Sequence, residues 1–449
     1  MFQSLNRPIL FTKYFDDDRS GFLANEIGLF YCRIFLIRTM PIISRRGKDA
    51  YTSPIRHLGP FADEAKRQGK TVYHLNIGNP DIHTPATAIE KVKTAADKIV
   101  PYSPSKGFTS YRKKLVGYYK KFGADLTYED IIITNGASEG ILFSMFSCLD
   151  TGDEVIIPEP FYAIYNAFSY VSGVKLVTIT STIETGYALP TPAEFEQYIT
   201  PRTKAIFICN PNNPTGCVYS RQELEELGAI IKKHDLFFFV DEVYREFSYE
   251  DEFYSVLNIK GLEQHVVVID SVSKRFSACG ARVGALVSKN KQVLENVNKY
   301  AEFRLSPPHF GQILAEATLD VDESYIREVK SEYLRRRNLI FDRLSAMDEV
   351  VCKKPQGAFY ILAKIPIDDS VKFCKWLLTD FAYKGATVML APASGFYATP
   401  GKGKQEVRLA YVLNCEILDK AMDCLEQALK VYPGRIPTTS KTRNGVLNQ

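Results

Sequence analysis

The chain has 449 residues, 45% of them hydrophobic and 12% aromatic, with a formal net charge of +4. That length exceeds the size at which single cores stop growing, and the apolar content excludes a disordered chain, so two domains are expected. The small charge is spread without long basic blocks, which argues against nucleic acid as a partner, and no stretch is long and apolar enough to span a bilayer. Nine scattered cysteines without a C-x-x-C pair predict reduced thiols in the cytosol and no disulfide framework, and six histidines away from ligand spacing predict no metal site.

Residues 1–39 differ in character from the rest of the chain. Their apolar run is short, is interrupted by Arg33 and leads to no small-residue cleavage site, so a signal peptide fits poorly. Met40-Pro-Ile-Ile-Ser reads as a natural start, and residues 1–39 are expected to be an over-extended reading frame or a disordered leader.

From about residue 95 short apolar runs alternate with longer periodic ones. Ile131-Ile-Ile133 leads through Thr134-Asn-Gly136 into a helical stretch, Ile141 to Cys148. Strands are expected at Glu154–Ile157, Lys175–Ile179 and Ala205–Cys209. A helix with Glu223, Glu225 and Glu226 near its start precedes a strand at Leu236–Val240, and Val266–Ile269 and Gly284–Val287 complete the set. Continuous β-rich runs separated by helices predict a mostly parallel sheet covered on both faces, with ligands at the carboxyl ends of its strands. After residue 290 two helical patterns surround Leu305-Ser-Pro-Pro308, the second spanning Glu323 to Leu344. A strand pair near Phe359–Leu362 and Val407–Tyr411 and a closing helix from Glu416 to Tyr432 predict a smaller α+β domain. The expected division is 40–90 and 331–434 for the small domain, 91–330 for the large ligand-binding domain, and a polar tail at 435–449.

The most informative segment is Ser271-Val-Ser-Lys274, followed eight positions on by Arg282, with Gly280 and Gly284 beside it. A lysine at the end of a buried strand is costly as an ammonium, because desolvation disfavours the charged form. The neutral amine is a nucleophile suited to Schiff-base chemistry, and the hydroxyls and Arg282 supply donors for a phosphate. Amine plus phosphate cradle suggests pyridoxal phosphate; the alternative is a solvated lysine and a surface arginine.

The other motifs each carry two readings. Asn210-Pro-Asn-Asn213-Pro-Thr-Gly216 is a tight turn, or a rigid asparagine donating to a phenolate oxygen. Asp241, at the mouth of an apolar strand, needs a structural arginine or a pyridinium nitrogen, and Tyr244 lies three residues on. Gly136-Ala137-Ser138 opens a helix towards an anion, or Ser138 merely caps it. Tyr162 is a core aromatic or a ring-stacking platform. Tyr102 lies in a loop that is surface unless a partner subunit covers it, and Arg408, inside an apolar strand, needs a carboxylate that a substrate would supply.

In this order the motifs resemble the class I pyridoxal-phosphate aminotransferases of fold type I, the aspartate aminotransferase family. The resemblance covers Ser53 to Tyr432 and includes Leu75-Asn-Ile-Gly78-Asn-Pro80 and Gly357-Ala-Phe-Tyr360. It implies an α/β large domain with a mixed sheet, a small α+β domain, and transfer of an amino group from an L-amino acid to a 2-oxo acid, best matched by aspartate and 2-oxoglutarate. Lys274 would hold the cofactor as a Schiff base and shuttle the Cα proton, with Asp241 on the ring nitrogen. Asn213 and Tyr244 would bind the phenolic oxygen and Tyr162 would stack on the ring. Ser271, Ser273, Arg282 and the Gly136, Ala137 and Ser138 helix start would hold the phosphate. Tyr102 would reach the phosphate of the other subunit of a homodimer. Arg408 would bind the α-carboxylate, with Asn213 and the Gly78 backbone beside it. Ser138 stands in a region where some bacterial relatives that favour dicarboxylic substrates carry a lysine, a departure from the aspartate pattern, and Arg304, just before Leu305-Ser-Pro-Pro308, is a candidate for the distal carboxylate across the dimer. Aromatic or alanine aminotransferase and carbon–sulfur β-lyase activities are the alternatives within the fold. A ligand sensor fused to a DNA-binding module is the alternative outside catalysis.

Overall fold

The computed structural model describes residues 41–95 and 99–436, so the expected leader and nearly all of the polar tail lie outside the described residues. Residues 41–50 belong to a unit of their own, containing one exposed helical turn, Arg45–Lys48, begun by Ser44, whose hydroxyl accepts from Gly47 N at 3.1 Å. The second unit, from Tyr51 on, carries the site.

Its centre is a seven-stranded sheet in the spatial order Ile131–Thr134, Gly284–Val287, Val266–Ser271, Phe237–Asp241, Thr203–Cys209, Glu154–Glu159, Lys175–Thr180. Gly284–Val287 runs antiparallel to both neighbours and the other pairs are parallel. Alternate side chains enter two different cores: Ile131, Ile133, Phe238, Val240 and Val268 face one, and Ile132, Phe239, Val267 and Ile269 the other. Both faces are therefore dry, which is why these strands read as continuous apolar runs rather than alternating ones. Helices Gly136–Cys148 and Lys291–Phe303 cover the second face, and Thr109–Lys120 and Arg221–Lys233 the first. Arg221–Lys233 starts with a capping box: Ser220 Oγ accepts from Glu223 N, and the Glu223 carboxylate accepts from Ser220 N at 2.7 Å.

A third core is built by Leu58, Ala62 and Leu75 together with Val329, Tyr333, Ile361 and Leu425. It contains a four-stranded antiparallel sheet (Ala391–Pro392, Glu406–Ala410, Tyr360–Lys364, Val351–Cys352) and a parallel pair, Thr71–His74 with Ala386–Met389. The expected helix from Glu323 spans Glu323–Ser345, and a further helix that was not expected, His309–Thr318, lies between it and Pro308. Asp322 makes the break, its carboxylate accepting from Ser324 N at 2.8 Å as an N-cap.

The sheet register sets the site. Asp241 lies beside both Cys209 and Ile269, while Thr134 and Ser271 both pair with Gly284. The turns after these strands all emerge at one edge.

Candidate active site

Strand Val266–Ser271 ends in Ser271, whose Oγ accepts from Ser273 N at 3.1 Å and starts a single helical turn, Val272–Arg275. Lys274 sits on that turn rather than on the strand. Its Nζ donates to Gly78 O at 2.9 Å and lies 4.0 Å from Cys279 Sγ. Burial holds its ammonium below the usual lysine range; Cys279 and Asp241 oppose this, and Arg408 and Arg282 add to it. The residue is only partly buried and lines the cavity of the site.

Asp241 is 5% exposed, and its carboxylate accepts from Tyr165 O–H at 2.8 Å and from Val243 N–H at 3.3 Å. Burial pushes its pKa up to about 6 against those two hydrogen bonds. Tyr165 was not foreseen, because its contact with Asp241 bridges 76 residues and leaves no local pattern. Tyr244 O–H shares a hydrogen bond with Tyr360 O–H at 2.9 Å, and Tyr162 stands edge-on to Tyr165 with centroids 5.5 Å apart.

Arg408 comes from Glu406–Ala410 and is 1% exposed. Its guanidinium lies 4.5 Å from the Tyr360 ring centroid and 4.9 Å from that of Phe396. Nη1 donates to Asn213 Oδ1 at 3.0 Å and Nη2 to the Asn76 carbonyl, while Nε has no hydrogen-bond partner among the described residues. Burial holds this guanidinium below the usual arginine range. A buried cation with an unsatisfied donor and no carboxylate among the described residues is an anion site.

On the opposite side, Ser271 Oγ and Ser273 Oγ are 2.7 Å apart. Arg282 donates from Nη1 to Cys279 O at 3.1 Å and from Nη2 to Asn135 O at 3.4 Å. The helix begins at Gly136 with Asn135 as N-cap and no side-chain cap, so the reading of Ser138 as its cap is corrected. The Glu139 carboxylate instead accepts from Asn135 N at 2.8 Å, and the Ala137 and Ser138 amides remain at the first turn. Gly136 has a φ of +73°, and a Cβ there would come within 2.4 Å of Arg282 Nη2. A Cβ on Gly78 would lie 1.9 Å from Tyr360 Oη, so both glycines are needed for close approach.

One cavity of about 220 Å³ opens between these groups. Among the residues singled out in the sequence, Lys274, Asp241, Tyr244, Asn213 and Arg408 line it, as do Gly78, Ala137, Ser138, Tyr162, Ser271, Ser273 and Arg282. Gly136 supports it through Arg282. Tyr102 is 78% exposed and lies outside the lining. Arg304 also lies outside: its Nη2 donates to Ser105 O at 3.0 Å and Ile133 O at 3.2 Å, and its Nε is 3.7 Å from Glu139 Oε2.

Behind the cavity lies an ion network that no local motif announces. Asp270 accepts from Arg275 Nη1 at 2.7 Å, Tyr119 O–H at 2.9 Å and Ser271 N at 2.7 Å, and Arg245 Nη1 is 3.9 Å away. Burial works against the ionised Asp270 carboxyl, but Arg245 and Arg275 hold it below the usual carboxylate range. An aspartate inside a buried strand was the available signal. Among the described residues no group of histidine, cysteine, aspartate or glutamate side chains has the arrangement of a metal site, and no helix is long and apolar enough to cross a membrane.

The sheet with a strand-end lysine, a buried aspartate and a buried arginine around one cavity defines an α/β enzyme that handles small carboxylates. Residues 70–423 match the family model of the aminotransferases of class I and II, and the chain belongs to that family. It is an aminotransferase with the type I fold. It is 34% identical to an aspartate aminotransferase of Pyrococcus horikoshii, over 80% of this chain and 91% of that one. It is 33% identical to aromatic-amino-acid aminotransferase 2 of Thermococcus litoralis, over 80% of this chain and 92% of that one. The solved structure of an alanine aminotransferase from Pyrococcus furiosus superimposes with a TM-score of 0.79 at 31% identity, over 87% of this chain and all of that one.

Proposed function

We propose that this aminotransferase moves the amino group of aspartate to 2-oxoglutarate, with pyridoxal phosphate held at the strand ends. The observation that carries the reading is Lys274, a desolvated amine in the cavity that Asp241 and Arg408 also line. The cofactor, when bound, supplies a carbonyl that takes up amines and a ring that withdraws electrons from Cα.

The donor set suits that group. Asp241 has a phenol and an amide as hydrogen-bond partners but no ion pair among the described residues, and a pyridinium N–H would complete it. Ser271, Ser273, Arg282 and the Gly136–Ser138 helix start would hold a phosphate, with Tyr102 of a second copy reaching it in a homodimer. Asn213 and Tyr244 would donate to the phenolic oxygen, and Tyr162 would cover the ring. Lys274 Nζ would take the proton from Cα and deliver it to the cofactor's C4′ carbon, across the shared nitrogen. Arg408 would fix the α-carboxylate so that the Cα–H bond faces Lys274. Residues 40–90 with 331–434 as a small domain about a 91–330 large domain, and a cytoplasmic location, belong to the same reading.

Half-transamination of the purified enzyme against a panel of amino acids tests it: the bound cofactor's visible absorbance should be lost with aspartate. No conversion by any amino acid would remove the transaminase reading. Pyruvate released from cystathionine without an acceptor would favour the β-lyase alternative.

Arg408→Lys keeps the charge and loses the planar fork, so kcat/KM is expected to fall about 100-fold for every amino acid alike, measured in the half-reaction. A loss confined to one side-chain class would contradict α-carboxylate binding.

Asp241 gives a pH test. Its folded pKa of about 6 lies above the ordinary 3.8, so the native state holds an extra proton between those values. The stabilisation is fully present below about pH 4 and is lost as pH rises through 6. Asp241→Asn is therefore expected to stabilise the cofactor-free protein by about 2–3 kcal/mol at pH 8, with the gain vanishing at pH 4, read by urea unfolding.

A further inference from the structure

We propose that Arg56 selects dicarboxylic substrates by binding their side-chain carboxylate while Arg408 holds the α-carboxylate. The inference rests on the amino-acid-binding reading of this cavity. Arg56 opens a short 3₁₀ turn, Arg56–Leu58, that is pinned by two buried neighbours, Ile55 at 7% exposure and Leu58 at 1%. Its main-chain N–H donates to Ser53 Oγ at 3.4 Å, and Ser53, Ile55 and Arg56 line the same cavity as Arg408 and Lys274.

Three features separate Arg56 from the other cations of the site. Arg408 is buried with Asn213 and Asn76 as partners, and Arg282 is tied to Cys279 O and Asn135 O. The guanidinium of Arg56 has no ion pair and no hydrogen bond among the described residues, and the residue is exposed at the cavity's edge. Burial raises the Tyr162 phenol, and the Arg56 charge, like those of Arg408 and Arg282, acts against that rise, so all three arginines lie within electrostatic reach of Tyr162. A dicarboxylate with one end on Arg408 would meet at its other end a cation that no carboxylate among the described residues neutralises. Ile77 and Ile164 line the cavity as well and supply apolar cover for the intervening methylenes.

Arg304 is the competing candidate, expected to serve the cavity of a second copy across a dimer rather than its own. It lies outside the cavity lining, is fixed on two main-chain carbonyls and faces Glu139, so an incoming carboxylate would meet a like charge.

The test uses the holoenzyme in two measurements. The ratio of kcat/KM for aspartate to that for alanine, read in the half-reaction, is expected to fall about 10–100-fold in Arg56→Gln, with Arg56→Lys in between, the range of a charged hydrogen bond lost without a buried orphan. Calorimetric titration with succinate and propionate, which have no amino group to react, is expected to show the succinate-to-propionate affinity ratio falling about tenfold in Arg56→Gln. An unchanged ratio in both measurements, a collapse in Arg304→Ala instead, or a wild-type preference for alanine or tyrosine over aspartate would overturn the proposal. Failure of every amino acid to convert the cofactor removes the aminotransfer reading, while the succinate titration still reports on Arg56.

Discussion

Lys274→Ala is expected to lower kcat/KM at least about 1000-fold, because under the proposed function one side chain would supply both the covalent anchor and the proton transfer. Lys274→Arg should be as inactive. It keeps a cation at the same place, but a guanidinium does not deprotonate in the range where the desolvated Lys274 amine does. The check is the half-reaction with aspartate, followed by borohydride reduction and mass spectrometry. The wild-type protein should retain a cofactor adduct on the peptide containing Lys274, and both variants should show none. Activity within about tenfold of wild type would remove Lys274 from its role.

Asp270→Ala is expected to destabilise the fold by about 3–5 kcal/mol, the cost of removing one partner from a buried ion pair. Asp270 and Arg275 are each 1% exposed and joined at 2.7 Å, so the alanine would strand the Arg275 guanidinium and weaken the hold on Arg245. Arg245 retains Glu242, 3.0 Å away, whereas Arg275 has no second carboxylate among the described residues. The double variant Asp270→Ala/Arg275→Met should recover at least about 1 kcal/mol of that loss, since the stranded charge goes too. Denaturant unfolding of the three proteins reads both numbers; equal losses in single and double variants would place the cost in the cavity instead. Arg275 is adjacent to Lys274, and Asp241 precedes Glu242 in the chain. The network therefore fixes the main chain on both sides of the chemistry without entering it.

The physical basis of what was legible in the sequence differs from residue to residue. The strands were readable because both sheet faces are dry, so Ile131–Ile133 and Val266–Ile269 must be apolar throughout. Lys274, Asp241 and Asn213 were readable because a polar group after such a run has to be accounted for. Tyr165, Asp270 and Arg56 were not. Tyr165 meets Asp241 across 76 residues, and Asp270 meets Tyr119 across 151. No periodicity encodes those separations. Helix Glu323–Ser345 was legible from its charged periodic stretch, whereas His309–Thr318, directly after Pro308, was not.

The sequence by itself determined the chemistry available to this protein: one amine that desolvation makes nucleophilic, a carboxylate and an arginine in apolar strands, and glycines where the backbone must come close. These properties arise from local composition, because the cost of burying a charge is set by the side chain and its immediate neighbours. Only the tertiary structure decided which of the arginines share a cavity. Arg56, Arg282 and Arg408 converge there, whereas Arg304, read from the sequence as acting across a dimer, is held on the carbonyls of Ser105 and Ile133. Convergence depends on sheet register and on how the Ser53–Leu58 segment and the Glu406–Ala410 strand meet the strand ends, and those are long-range contacts that chain order does not carry.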